Sequence, residues 1–179
     1  MDLYLLRHGY AGKRLSNPIR DRKRSLTSQG LKEVRAISKS LKLLNVKFDT
    51  IFSSPLPRAL QTATVVANRY KLKNKIQQYN ELISKQDRFS LYDKLVNYNQ
   101  MSSILIVGHE PYLSTMISDI ISNSNNKNKT NNDIKSNSDI ILKKAGLSKI
   151  RITSTVPTLH GELRWLLTPD ILKKTQETS

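Results

Sequence analysis

Two histidines and two arginines of this 179-residue chain stand where chemistry could be done. Tyr4-Leu5-Leu6-Arg7-His8-Gly9 is a short apolar strand that runs straight into a guanidinium, an imidazole and a glycine. Gly108-His109-Glu110-Pro111 follows the apolar run Ser103-Ile104-Leu105-Ile106-Val107 in the same way, and Ser53-Ser54-Pro55-Leu56-Pro57-Arg58 follows a third strand candidate. An imidazole so placed can attack phosphorus, forming a covalent phosphohistidine that water later hydrolyses. His8 is the candidate nucleophile. Arg7, Arg58 and His109 would neutralise charge on the equatorial oxygens during the transfer, since guanidinium forks bind phosphate oxygens two at a time. Gly9 would let a phosphate approach the backbone. The competing use of paired histidines is a metal site, but zinc wants a third ligand close by and flanking arginines repel a cation, so no metal is expected. His160, in a late turn, reads as structural or solvated.

These residues converge only if the elements bring them to one edge. Residues 2 to 7 read as a strand, and the polar segment 10 to 26 reads as a loop. A helix capped by Thr27 is predicted to run to about Asn45 on the stripe Leu31, Val34, Ile37, Leu41 and Leu44. Phe48 to Ser53 reads as a second strand. Ser54 is placed to cap a helix with Pro55 at its first position and Leu56, Leu60, Ala63, Val66 and Tyr70 on its buried face. Residues 75 to 79 make a weaker strand, followed by Glu81 in a loop and a helix from about Asp87. Ser103 to Val107 has the continuous apolar character of a strand buried on both faces of a parallel sheet. The helix after it carries Leu113, Met116, Ile117, Ile120 and Ile121. Residues 140 to 144, 149 to 155 and 161 to 167 read as late strands. Strands alternating with helices call for an α/β sandwich with a largely parallel sheet, the late strands extending it antiparallel at one edge. In such a sheet ligands bind outside the carboxyl ends of the strands, where helix N-termini favour anions.

Length fits one domain over residues 1–179. The segment 122–139, nearly all Asn, Lys, Ser, Thr and Asp, reads as a disordered surface insertion, and the tail after about residue 174 as frayed. No apolar run approaches a membrane span, no signal peptide fits before the first strand, and there is no cysteine, which together give a cytoplasmic expectation. Thirty Lys and Arg against fourteen Asp and Glu give a formal charge of +16, which selects the sign of a partner and not its kind. Much of that charge reads as spread over solvated faces. Lys13, Arg14, Arg20, Arg22, Lys23 and Arg24, against Asp21 alone, form one cluster just after Arg7-His8-Gly9 that would attract anionic substrates.

Arg7-His8-Gly9, Ser53-Ser54-Pro55 with Arg58-Ala59, Gln61-Thr62-Ala63 and Gly108-His109-Glu110-Pro111, in this order and at these junctions, resemble the histidine phosphatase superfamily, also called the phosphoglycerate mutase-like family. The resemblance spans roughly residues 2 to 167. Within the superfamily, Arg24-Ser25-Leu26-Thr27-Ser28-Gln29-Gly30 and Leu163-Arg164-Trp165-Leu166-Leu167-Thr168-Pro169 resemble the small phosphohistidine phosphatases of the SixA type, although that type usually has Arg-Pro-Leu-Thr where this chain has Arg24-Ser25-Leu26-Thr27. The resemblance implies a three-layer sandwich with helices flanking a largely parallel central sheet. It implies His8 as nucleophile and phosphoryl carrier, Arg7, Arg58 and His109 as phosphate ligands, Gly9 and Arg24 as further substrate contacts, and no cofactor or metal. Larger relatives place a carboxylate general acid after a middle strand. Glu81 is the candidate here, against its reading as a surface glutamate. The implied function is hydrolysis of phosphohistidine on a signalling protein, such as a histidine phosphotransfer domain. A small-molecule phosphomonoesterase would use the same pocket. A noncatalytic basic module binding nucleic acid or phosphoprotein is the reading from a different class. Nucleic acid is not expected, because the basic residues are not interleaved with aromatics.

Overall fold

The strand that delivers Arg7 lies inside the sheet, with a partner on each side. In the computed structural model, which describes residues 1–83, 87–98, 102–122 and 140–175, the elements in chain order are β1 (Asp2–Arg7), α1 (Pro18–Arg22), α2 (Ser28–Leu43), β2 (Thr50–Ser53), α3 (Pro57–Tyr70), β3 (Ile76–Gln78), α4 (Phe89–Val96), β4 (Ser103–Gly108), α5 (Tyr112–Ile121), β5 (Leu147–Ser154), β6 (His160–Leu167) and α6 (Pro169–Lys174). The six strands form one sheet in the order β3-β2-β4-β1-β5-β6. β3, β2, β4 and β1 are parallel, whereas β5 runs antiparallel to β1 and β6 antiparallel to β5.

Alternation along the strands divides the core into two layers. Leu3, Leu5, Phe52, Ile104 and Ile106 point to one face, where Leu91 and Leu95 of α4 and Leu113, Met116, Ile117 and Ile120 of α5 cover them. Tyr4, Leu6, Ile51, Leu105 and Val107 point to the other, against Val34, Ile37 and Leu41 of α2, Ala59, Ala63 and Val66 of α3, and Leu172 of α6. The result is the expected three-layer α/β sandwich. Each large side chain so buried contributes about 1.5–3 kcal/mol relative to exposure.

Register explains how the site is assembled. Arg7 pairs with Gly108, and Ser53 pairs with Val107, so β1, β4 and β2 end level with one another. The backbone continues the alignment past the strand ends, with His8 N donating to Gly108 O at 3.1 Å and Ser54 N to Val107 O at 3.0 Å. Three chemically loaded junctions therefore share one rim.

Several boundaries differ from the sequence expectation. The loop over 10–26 contains the single-turn helix α1, opened by Asn17, whose side chain accepts from Arg20 N, and by Pro18. α3 begins at Pro57 and not Pro55, with Leu56 as its N-cap, because the Ser54 side chain is committed to His109. Residues 140–144 are not a strand. Arg7 Nη1 takes the Leu142 carbonyl at 2.9 Å, and the chain turns at Ala145 with φ of 56° before β5 starts at Leu147. Thr27 caps α2 as expected, accepting from Gly30 N at 3.0 Å. Residues 123–139 of the expected insertion and 176–179 of the expected frayed tail lie outside the described residues. Among the described residues no helix is long and apolar enough to cross a membrane.

Candidate active site

His8 is the centre of the arrangement and is buried, at 6% exposure. Its Nδ1 lies 2.7 Å from the Gly9 carbonyl oxygen, which can only accept. Nδ1 therefore carries the proton, and Nε2 keeps the lone pair. Burial foremost, then the neighbouring Arg58, Arg7 and Arg24, push the His8 pKa down to about 3 despite the opposing bond to Gly9. At neutral pH the ring is an uncharged base with one oriented nucleophilic nitrogen.

The His109 ring stands 5.1 Å from that of His8, centroid to centroid. Its Nε2 is 2.8 Å from Ser54 Oγ, and the same hydroxyl oxygen accepts from Leu56 N at 3.3 Å. The direction of that bond follows the His109 tautomer: with Ser54 donating its hydroxyl proton to Nε2, the His109 proton is on Nδ1. Burial first, then the His8 ring and the arginines, take the His109 pKa down to about 2. In that tautomer His109 is a neutral hydrogen-bond donor beside His8.

Each arginine is anchored through one nitrogen. Arg7 Nη1 donates to Leu142 O at 2.9 Å, and Arg58 Nη1 donates to Asp21 O at 3.1 Å. Burial lowers the pKa of both guanidiniums, with Glu110 partly restoring that of Arg7. Arg7 Nε, Arg58 Nε and His109 Nδ1 are buried and have no hydrogen-bond acceptor among the described residues. Three N–H donors from three junctions around one imidazole form an anion cradle, because a buried donor without an acceptor costs about 1–3 kcal/mol.

Arg24 reaches the same neighbourhood, since its charge acts on His8, His109 and Arg58. Asp21 holds it with two bonds, Nε to Oδ1 at 2.8 Å and Nη2 to Oδ2 at 3.3 Å, while Arg24 Nη1 donates to Ala11 O at 3.0 Å. Sequence reasoning saw Asp21 only as the one acid of a basic cluster. Its carboxylate orients Arg24 and its carbonyl orients Arg58.

Gly9 has a different part from the one expected. Its N–H donates to Thr62 Oγ1 at 3.1 Å, so that amide is not offered to a phosphate. The missing side chain makes room for α2: a Cβ here would come within 2.7 Å of Val34 Cγ2. Thr62 Oγ1 donates in turn to Arg58 O at 2.7 Å and so ties the first junction to the second. Thr62 entered the sequence reading as part of a motif without a job, and a hydroxyl one turn after Arg58 was the signal available.

Glu81 lies just after β3, the strand that pairs with β2. It sits in a single 3-10 turn at Asn80–Leu82 and forms an ion pair with Lys94 of α4. That lysine is the first cause of its lowered pKa, the reverse of what a proton donor requires. Glu110, just before α5, accepts from Ser114 Oγ at 2.5 Å, with burial raising its pKa and Ser114 and Arg7 opposing that rise. Among the described residues no group of three or more His, Cys, Asp or Glu could hold a metal ion.

Comparison with known proteins agrees with this geometry. A family model described as "Histidine phosphatase superfamily (branch 1)" matches residues 3–86. The chain is similar in structure to the protein histidine phosphatase SixA complexed with tungstate, with a TM-score of 0.77 and 21% identity over 97% of this chain and 100% of that one. It is similar to the putative phosphohistidine phosphatase SixA from Agrobacterium tumefaciens, with a TM-score of 0.68 and 20% identity over 94% of this chain and 97% of that one. A phosphoserine phosphatase mutant from Entamoeba histolytica in complex with phosphoserine has a TM-score of 0.67 and 17% identity, over 96% of this chain and 98% of that one. Among curated proteins, an uncharacterized protein of Picosynechococcus sp. is 39% identical over 67 residues, 37% of this chain and 40% of that protein. The match thus spans two fifths of the relative's length. Sequence over residues 3–86 is similar to the histidine phosphatase superfamily, and the fold over nearly the whole chain is phosphoglycerate mutase-like.

Proposed function

We propose that the chain is a cytoplasmic phosphatase that carries the phosphoryl group on His8 and acts on phosphohistidine in a protein. The observation that supports it most is the set of three buried donors, Arg7 Nε, Arg58 Nε and His109 Nδ1, around a neutral imidazole. In the first step His8 Nε2 attacks phosphorus and the Nε2–P bond forms, while the P–N bond of a substrate ring protonated on its other nitrogen breaks, its electron pair going to that ring, which leaves as neutral imidazole. The three donors and the Arg24 charge stabilise the equatorial oxygens as charge spreads over them. Water then attacks phosphorus, the Nε2–P bond breaks, and inorganic phosphate leaves.

The preference for phosphohistidine rests on the leaving group. An alkoxide needs a proton from the protein in the transition state, whereas a ring-protonated phosphohistidine releases neutral imidazole, whose conjugate-acid pKa is about 6.5. Glu81, tied to Lys94, is not poised to supply that proton. A macromolecular substrate also suits the mouth of the site, where Lys13, Arg14, Arg20, Arg22 and Lys23 are exposed together with Leu15 at 44% and Ile19 at 69%. A histidine phosphotransfer domain is such a substrate. The second reading, a small-molecule phosphomonoesterase, draws support from the fold shared with the phosphoserine phosphatase.

Rapid quench with labelled phosphohistidine protein, aryl phosphate and sugar phosphate tests both readings on wild type and His8→Ala. The expected result is an acid-labile, base-stable phosphoenzyme labelled at His8, formed fastest from phosphohistidine protein. Label on another residue, or none within a single turnover, refutes the mechanism.

A further inference from the structure

Beside Arg7 the surface opens into a cleft of about 430 Å³, whose lining includes Arg7, Tyr10, Lys143 and Lys144. Its cationic side is fixed to the reaction centre by the backbone. Arg7 N donates to Gly146 O at 3.1 Å, Ala145 N donates to Arg7 O at 3.1 Å and to His8 O at 3.2 Å, and Gly146 N closes the turn on Lys143 O at 2.7 Å. Lys144 stands at the head of that turn with its Nζ 4.6 Å from the centroid of the Tyr10 ring. Arg7 Nη1, on Leu142 O, clamps the other side of the same turn.

Charge in this corner is one-sided. Neither Lys143 nor Lys144 has a carboxylate at ion-pair distance among the described residues. Glu33 and Asp170 also line the cleft, but both are engaged with Lys173, at 3.1 and 3.5 Å. Burial, then Arg7 and Arg24, press the Lys144 pKa down, the response of an ammonium facing like charges. Arg7 lines this cleft while its Nε belongs to the donor set around His8, so a group in the cleft and a phosphoryl group on that set would share Arg7.

We infer that Lys144, seated on Tyr10 beside Arg7, is a second anion subsite that takes a carboxylate of the phosphorylated substrate. The inference rests on the phosphatase reading for the orientation of that substrate. The carboxylate has two sources: a small phosphorylated acid, or an Asp or Glu next to the phosphorylated residue of a protein.

Binding tests it independently of turnover. Full-length protein carrying His8→Ala, with and without Lys144→Gln, is titrated calorimetrically with 3-phosphoglycerate and with glycerol 3-phosphate, which differ in one carboxylate. A second pair of titrations uses phosphorylated peptides with Glu or Gln beside the phosphorylated residue. Lys144→Gln is expected to reduce the preference for the carboxylate-bearing member by about fivefold, the upper range for a partly exposed ion pair. Tyr10→Leu, which removes the ring under the ammonium, is expected to act in the same direction. A drop confined to the first pair assigns the subsite to small acids, and one confined to the peptides assigns it to an acidic flank. An unchanged preference in both pairs, or equal losses for both members of each, overturns the inference. If wild-type protein hydrolyses no phosphorylated substrate, the phosphatase reading fails while these titrations still decide the subsite.

Discussion

Two neutral histidines buried side by side make stability fall as the solution becomes mildly acidic, earlier than carboxylates alone would cause. The perturbation is a change from pH 7 to pH 5. In the unfolded chain both rings bind protons below about pH 6.5. In the folded chain they stay neutral until about pH 3 for His8 and about pH 2 for His109. The unfolded state therefore binds more protons across this window, and stability is lost as pH falls through it. Each pH unit below 6.5 is worth about 1.4 kcal/mol per ring, so at pH 5 each histidine contributes about 2 kcal/mol of destabilisation and the pair about 4 kcal/mol. That is a large part of the roughly 5–15 kcal/mol typical of a folded domain. The assay is urea unfolding at pH 7, 6 and 5 for wild type and for His8→Asn/His109→Asn. Acidic groups held low in the folded state, such as Asp21 and Asp87, lose their stabilisation at lower pH and are common to both proteins. Wild type is expected to lose about 4 kcal/mol more than the double variant between pH 7 and pH 5. Parallel pH curves for the two proteins would show that the rings are not held neutral, and the account of His8 as an uncharged nucleophile would go with them.

Thr62→Val keeps the shape of its side chain but leaves the buried Gly9 N–H without an acceptor. It should cost about 1–3 kcal/mol in urea unfolding and slow turnover by displacing His8. Glu81→Gln should change turnover of phosphohistidine and alkyl phosphates by far less than the roughly 10²-fold typical of a general acid, and a loss of that size on alkyl phosphates alone would make Glu81 the proton donor. Turnover should survive EDTA, because Arg7 and Arg58 supply the positive charge; loss of activity restored by a divalent metal would contradict this.

The sheet and its three loaded junctions were legible because strong local patterns agree with the fold. Ser103–Val107 is apolar on both faces since both helical layers cover it, and the stripe of α2 follows a helical period with a capping threonine before it. Convergence of Arg7, His8, Arg58 and His109 followed from the rule that parallel strands end at one edge. Illegible were the partnerships set by tertiary contact. Ser54 has the composition of a helix cap, and only tertiary contact brings the His109 ring to its hydroxyl beside Leu56 N. Ile140-Ile141-Leu142 has strand composition, but the demand of Arg7 for a carbonyl turns it into part of a loop. The pairing of Glu81 with Lys94 joins a loop to a helix that no spacing rule relates, so its carboxylate state was beyond reach.

The position of β1 has a consequence for how the enzyme comes into being. Asp2 pairs with Ser103 on one side and Arg151 on the other, so the first strand made waits for two of the last. Such non-local pairing is slow, because a long loop must close before any contact rewards it. On the ribosome, His8 emerges before β4, β5 and the turn at Ala145, which supply its backbone partners Gly108 and Ala145. A nascent or truncated chain ending after α3 would carry His8 and Arg58 together with an unsatisfied apolar strand. Synthesis in chain order therefore leaves the His8 imidazole unassembled until residues 103–154 have followed it.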